Sequence, residues 1–139
     1  MKFFDYAITF REMPFNPSGS LTFYTGGQCK HKCQGCSWGD VKPEGEFIPL
    51  DKFRGIVKKK RYHTDAVCFL GEGSDQYDLA QYLKVCKDLG MKTMLYTGGQ
   101  MADFDEEVLL LLDYIKVGVP LQLILGIIMT LVLPLIFPF

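Results

Sequence analysis

The feature that most limits the folds open to this chain is a repeated step from an apolar run into a glycine turn. Residues 66–70, Ala-Val-Cys-Phe-Leu, open into Gly71-Glu72-Gly73-Ser74-Asp75, a loop that can also cap a helix. Residues 93–97 run into Gly98-Gly99, and residues 113–117 run into Gly118. Short, nearly continuous apolar runs are the pattern of strands covered on both faces. Stretches with helical spacing lie between them. Leu79, Leu83 and Cys86 share a side that ends at Gly90, a natural stop, and Asp103 and Glu106 have capping-box spacing ahead of residues 108–112. Upstream, Leu50, Phe53, Ile56 and Val57 fall on one helical face, closed by Lys58-Lys59-Lys60-Arg61. Cations suit a helix carboxyl end, so this basic run reads as a solvated terminus in preference to an anion-binding patch. Residues 6–11 and 21–25 read as strands divided by the turn Asn16-Pro17-Ser18-Gly19. Strands alternating with helices through loops of this length predict an α/β fold with a parallel sheet and right-handed crossovers. Ligands on such sheets sit beyond the carboxyl ends of the strands. The loop after residue 25, the 71–75 loop and the 97–99 turn all fall at those ends.

Composition narrows the class further. A chain of 139 residues, 22% charged and 48% hydrophobic, is the size of one domain with a real core. A net charge of -1 gives no reason to expect nucleic acid as a partner. The start, Met1-Lys2-Phe3-Phe4-Asp5, lacks the layout of a signal peptide, so a cytoplasmic location is expected. Five cysteines, three of them between residues 29 and 36, do not suggest a secreted disulfide scaffold. They suggest a metal or redox site in a reducing compartment.

That chemistry is concentrated in Cys29-Lys30-His31-Lys32-Cys33-Gln34-Gly35-Cys36. Three thiolates this close can hold one metal centre. Structural zinc wants four ligands, usually in two pairs, and His31, His63 or Cys68 would have to complete the set. An iron–sulfur cluster normally takes four cysteines, and one held by three leaves an iron open to substrate or cofactor. The spacing of three residues then two, with no fourth cysteine nearby, favours the open cluster. Cys68 and Cys86 read as small hydrophobes in the core. Trp38 either shields the cluster or lies on the surface, and His63 has no partner in view.

Cys-x3-Cys-x2-Cys after an early strand, at the head of a β/α series, resembles the radical S-adenosylmethionine superfamily. The fuller pattern Cys29-x-His31-x-Cys33-x-Gly35-Cys36 is similar to the activating proteins of anaerobic ribonucleoside-triphosphate reductase. Ser20-Leu21-Thr22-Phe23, Val67-Cys68-Phe69-Leu70-Gly71, Leu95-Tyr96-Thr97-Gly98 and Asp113-Tyr114-Ile115-Lys116-Val117-Gly118 match as well, so the resemblance covers roughly residues 5–118. It implies a partial (β/α) barrel, small and incomplete at its C-terminus. It also implies that Cys29, Cys33 and Cys36 ligate a [4Fe-4S] cluster whose open iron is chelated by S-adenosylmethionine. An electron from a flavodoxin-like donor would cleave the sulfonium, and the resulting 5′-deoxyadenosyl radical would abstract hydrogen from a glycine of the large reductase subunit. The protein's own tasks would be positioning and water exclusion. Gly71, Glu72, Gly73, Asp75, Tyr96, Thr97 and Gly98 would contact S-adenosylmethionine.

Two departures accompany this resemblance. The family usually has Gly-Gly-Glu or Gly-Gly-Asp after the second core strand. Here the acid Glu72 comes one position early, or Asp75 substitutes for it. After Gly118 the family continues into polar sequence, whereas residues 117–139 of this chain carry no charge and are rich in Leu and Ile. At about 1.5 Å per helical residue that tail could cross a hydrocarbon core about 30 Å thick. Pro120, Pro134 and Pro138 count against one clean helix. We therefore divide the chain at residue 118. The tail reads as a reading-frame change or chimeric end in preference to a membrane anchor. Besides the activating enzyme, two readings stay open. One is a radical enzyme acting on a small molecule, as in the carboxy-deazaguanine synthases. The other is a non-enzymatic metal-binding or membrane-tethered module.

Overall fold

The computed structural model describes residues 1–26 and 44–118, so the cysteine loop and the tail lie outside the described residues. Six strands form one sheet in the order β3-β1-β2-β4-β5-β6. They are β1 (Lys2–Thr9), β2 (Ser20–Thr25), β3 (Glu46–Phe47), β4 (Ala66–Leu70), β5 (Lys92–Tyr96) and β6 (Tyr114–Lys116). The helices are α1 (Leu50–Lys60), α2 (Gln76–Asp88) and α3 (Glu106–Leu110). The architecture is α/β, with β2, β4, β5 and β6 mutually parallel. The expectation of a parallel sheet holds for these four strands only. β1 runs antiparallel to both β2 and β3, and β3 and β6 are the sheet's two edges. The reason lies in the turn at Asn16: Gly19 N–H donates to the Asn16 carbonyl at 2.9 Å, with Gly19 at φ +67°. The chain therefore doubles back directly instead of crossing over through a helix.

Register fixes which side chains share a face. Phe23 pairs with Phe69, Phe69 with Leu95, and Leu95 with Ile115. Because side chains alternate along a strand, this row and the one holding Leu21 and Val67 point to the helical side. There they meet Phe53 and Val57 of α1, Leu79, Tyr82, Leu83 and Cys86 of α2, and Val108 of α3. Phe53 lies at the centre of an aromatic group, with ring centroids 4.8 Å from Phe23 and 4.9 Å from Tyr82. Burying each such ring contributes about 1.5–3 kcal/mol, so this face dominates the stability. The alternate rows hold Ala66, Cys68 and Met94, covered by Met13 and flanked by Phe15, Leu70, Tyr96 and Tyr114.

The helices follow their sequence signals, with some shifts. Phe53 and Val57 are buried as the α1 pattern requires, but Leu50 in the first turn is 37% exposed. Asp75 is the N-cap of α2, its carboxylate accepting from Tyr77 N–H at 2.9 Å. Gly90, at φ +74°, follows the C-cap Leu89 and ends α2 in the left-handed conformation that glycine adopts without strain. The capping box falls one turn earlier than its spacing at Asp103 and Glu106 predicts. Asp103 instead closes a box with Gln100 around a single 3-10 turn, Met101–Asp103, and α3 starts afterwards without a side-chain cap.

Candidate functional site

The carboxyl ends of β2, β4 and β5 converge on the loop Gly71-Glu72-Gly73. Gly71 has φ +114° and Gly73 has φ +76°, while no residue other than glycine among the described residues has positive φ. Left-handed backbone costs an L-residue about 1–2 kcal/mol, which accounts for the two glycines and for the acid between them. The loop is tied at both strands: Gly71 N–H donates to the Tyr96 carbonyl at 2.9 Å, and Thr25 Oγ1 donates to the Gly71 carbonyl at 2.9 Å.

Glu72 is only 5% exposed, although it sits on a loop beyond the carboxyl end of β4. Thr97 Oγ1 donates to its Oε2 at 2.8 Å, and Gly99 N–H donates to the same Thr97 oxygen at 3.0 Å. A polar group buried this far needs hydrogen-bond partners. Thr97 supplies one, and it reaches across 25 residues of sequence. Asp75, the other acid named from the sequence, is exposed and engaged in capping α2. Glu72 is thus the acid turned into the sheet end.

Tyr96 and Thr97 face opposite ways, as neighbours at a strand end do. The Tyr96 hydroxyl donates to the Glu12 carbonyl at 2.6 Å, and the Lys116 ammonium lies 5.2 Å from its ring centroid. Burial pushes the Tyr96 hydroxyl well above the usual phenol range, so it remains a donor. Gly98 is pressed against the end of β6. A Cβ at Gly118 would lie 2.5 Å from the Gly98 carbonyl oxygen, while Gly118 N–H donates to the Gly99 carbonyl at 2.9 Å. The Thr-Gly-Gly and Lys-Val-Gly stretches therefore lie side by side.

Cys29, Cys33, Cys36, His31 and Trp38 fall outside the described residues, but the two flanks of their segment do not. A Cβ built on Gly26 would lie 2.1 Å from the Glu44 carbonyl oxygen, so residues 26 and 44 are in backbone contact. Gly26 N–H also donates to the Lys2 carbonyl at 2.8 Å. Gly26, which follows Thr25, and Glu44 therefore lie together near the residue that holds Gly71. Cys68 and Cys86 are buried free thiols, and burial pushes both above the ordinary thiol range. They stay protonated and pack as small hydrophobes, as their positions in sequence suggested. His63 is exposed. No group of three or more His, Cys, Asp or Glu among the described residues is arranged to hold a metal ion, and none of the helices described is long and apolar enough to cross a membrane.

Sequence reasoning named Gly71, Glu72, Gly73, Thr97 and Gly98, and the fold brings these together. The 97–99 turn is likewise expected at these strand ends, whereas Thr25, whose hydroxyl holds Gly71, is legible in the sequence only as the last residue of a strand. Comparison of the chain with family models, with curated proteins and with solved structures gives no match.

Proposed function

We propose that this chain is a radical S-adenosylmethionine enzyme, on a partial (β/α) barrel of that superfamily's type, that activates anaerobic ribonucleoside-triphosphate reductase by forming a glycyl radical on its large subunit. The observation that carries this reading is the buried Glu72 carboxylate between two left-handed glycines, at the strand end where Gly26 and Glu44 lie together. The donor sets suit the two groups the reading requires. Three closely spaced thiolates, Cys29, Cys33 and Cys36, match a [4Fe-4S] cluster with one open iron. A buried carboxylate beside backbone unobstructed by Cβ atoms suits the ammonium of an amino-acid moiety. When bound, the cluster and S-adenosylmethionine supply one-electron radical chemistry at this end of the sheet.

The chain's own contributions follow from its contacts. Glu72 accepts hydrogen bonds from the ligand's ammonium. Gly71 and Gly73 let the ligand approach the main chain. Thr25 keeps the loop joined to β2, the strand that precedes the cysteine segment in sequence. A flavodoxin-like donor would deliver the electron.

Anaerobic reconstitution with iron and sulfide tests the reading. The expected product is a brown protein with about four irons per chain that cleaves S-adenosylmethionine. Cys33→Ala should abolish cluster assembly, while Cys86→Ala should leave it nearly intact. A colourless protein holding zinc, or equal iron loss in both variants, would refute the assignment. With the large reductase subunit present, a glycyl-radical signal in electron paramagnetic resonance distinguishes activation from a small-molecule reaction.

A further inference from the structure

β1 is longer than the strand that covers it. Its inner edge pairs with β2 from Phe3 to Thr9. On its outer edge, pairing with β3 stops at Phe3 among the described residues, and a register shift between Phe3 and Asp5 follows directly. Beyond it Asp5, Tyr6 and Ala7 are all exposed, three residues in succession on one strand, so both faces are open there. The backbone on that side has bonds to offer. A Cβ on Gly19 would lie 2.3 Å from the Thr9 carbonyl oxygen, so the Thr9 backbone faces the β2 side. Neighbouring residues of a strand point their N–H and C=O groups in alternate directions, which turns those of Ile8 outward. Tyr6 N–H, turned the same way, donates to the Asp5 carboxylate at 2.8 Å. Exposed edges are commonly guarded by lysine or proline, and the run Tyr6-Ala7-Ile8-Thr9-Phe10 holds neither. The run is also apolar. Tyr6 stacks on Phe23 with ring centroids 5.4 Å apart and Ile8 packs on the helical-side core, while Tyr6 and Phe10 stay 38% and 63% exposed.

We infer that this edge pairs with the same edge of a second copy, antiparallel about a twofold axis, so that two six-stranded sheets join through β1. Charge selects that occupant and that orientation. The edge has one exposed acid at its start, Asp5, and one exposed base just past its end, Arg11. Antiparallel pairing brings Asp5 of each copy towards Arg11 of the other, and Tyr6 towards Phe10, whereas a parallel pair would set Asp5 beside Asp5. A strand complementary to itself needs only one patch, as a twofold dimer does. The Asp5 carboxylate then exchanges Tyr6 N–H for the arginine, and that N–H turns to the second copy's strand. β2 separates β1 from β4, and the inference does not depend on the reading of the 71–73 loop.

Sedimentation velocity of the full-length chain from about 1 to 200 µM tests the pairing, because a short strand interface belongs at the weak end of the size range. A monomer–dimer equilibrium is expected, with hydrogen exchange at residues 5–10 slowing as concentration rises. Ala7→Lys sets two ammonium groups close together in the interface and should weaken dimerisation about tenfold or more. Arg11→Asp should weaken it about fivefold or more. The double variant Asp5→Arg/Arg11→Asp exchanges the two ends, restores complementarity and should return to within about threefold of wild type. Ala7 and Arg11 are exposed, so the fold should persist, and the thermal midpoint of each variant checks this. If Ala7→Lys does not fold, Arg11→Asp and the double variant decide alone. A chain that stays monomeric throughout overturns the inference, whether residues 27–43, residues 119–139 or water cover the edge. Association that these substitutions leave unchanged also overturns it and assigns the contact to another surface, the apolar tail first. A double variant that does not recover refutes the antiparallel pairing.

Discussion

Moving the acid of the 71–73 loop one residue along, with the double variant Glu72→Gly/Gly73→Glu, restores the more familiar Gly-Gly-Glu order and should damage this protein. Position 73 has φ +76°, so a side chain there brings about 1–2 kcal/mol of backbone strain. A Cβ at that position would meet Met1 Cε at 3.1 Å, the end of a flexible side chain that can give way, so strain and not collision sets the penalty. The bond from Thr97 to Glu72 at 2.8 Å is lost, and leaving its buried donor unpaired costs about 1–3 kcal/mol. A new glycine at position 72 adds about 0.4–1 kcal/mol through the freedom it gives the unfolded chain. Relief from burying a carboxylate offsets part of this, and the net loss is about 3–5 kcal/mol. For a domain of about 100 residues that lowers the thermal midpoint by roughly 12–20 °C. Two single variants separate the contributions. Gly73→Ala isolates the strain and should lower the midpoint by about 4–8 °C, whereas Glu72→Gln keeps an acceptor for Thr97 and should shift it by only a few degrees. Circular dichroism melts of the full-length variants in one buffer decide the matter. A swapped chain that melts within about 3 °C of wild type would refute the claim that backbone geometry dictates the Gly-Glu-Gly order.

Three further outcomes are expected. Gly118→Ala forces a Cβ to within 2.5 Å of the Gly98 carbonyl oxygen and should destabilise by about 1–3 kcal/mol, with increased proteolysis near Gly98 as the check. Asp65 accepts from Asn16 and Ser18, each at 2.8 Å, and lies 3.4 Å from the Lys92 ammonium. The Asn16 bond first, with those of Ser18 and Lys92, holds its carboxyl below the usual range against the opposing effect of burial. Its stabilising contribution is therefore complete above the unfolded carboxylate value of about 3.9 and is lost as pH falls through the lower folded value. Asp65→Asn should flatten the dependence of the melting temperature on pH below about pH 4, and an unchanged slope would dismiss the contribution. Truncation after Gly118 should raise soluble yield and preserve the iron-to-protein ratio after reconstitution, as expected if a charge-free apolar segment of this length favours association. A truncated chain that fails to bind iron would show that residues 119–139 take part in the fold.

What could be read from the sequence was what repeats locally. The runs at 66–70 and 93–97 are strands because apolar residues packed on both faces leave few other solutions, and Gly90 stops α2 because its backbone is left-handed there. β3 escaped because two residues, Glu46 and Phe47, carry no periodicity; they are strand only because Lys2 and Phe3 lie opposite them. The first strand begins at Lys2, four residues ahead of its expected start, for the same reason of pairing. Asp103 could close a box with a partner three residues before it or three after. Position decided between them, since the Asp103 carboxylate accepts from Gln100 N–H at 2.8 Å. Glu72 reads ahead of Asp75 as the site acid from sequence, but its burial and its hydrogen bond from Thr97 become visible only when β5 lies beside β4.

The two ends of the sheet use similar residues for different ends. At the amino ends of β4, β5 and β6, acids are matched to lysines: Asp65 with Lys92, and Asp113 with Lys87 and Thr93 N–H. These bonds close loops onto strands, and their half-exposed acids have water to solvate what the protein does not. At the carboxyl ends, Thr25, Glu72 and Thr97 are all buried, and the hydroxyls bind the loop and its acid without bringing a countercharge of their own. The contrast is one of burial: on one sheet and from the same residue types, the acids at the amino ends stay half in water beside lysines, while Glu72 is carried into the protein on a loop whose two glycines take the left-handed backbone.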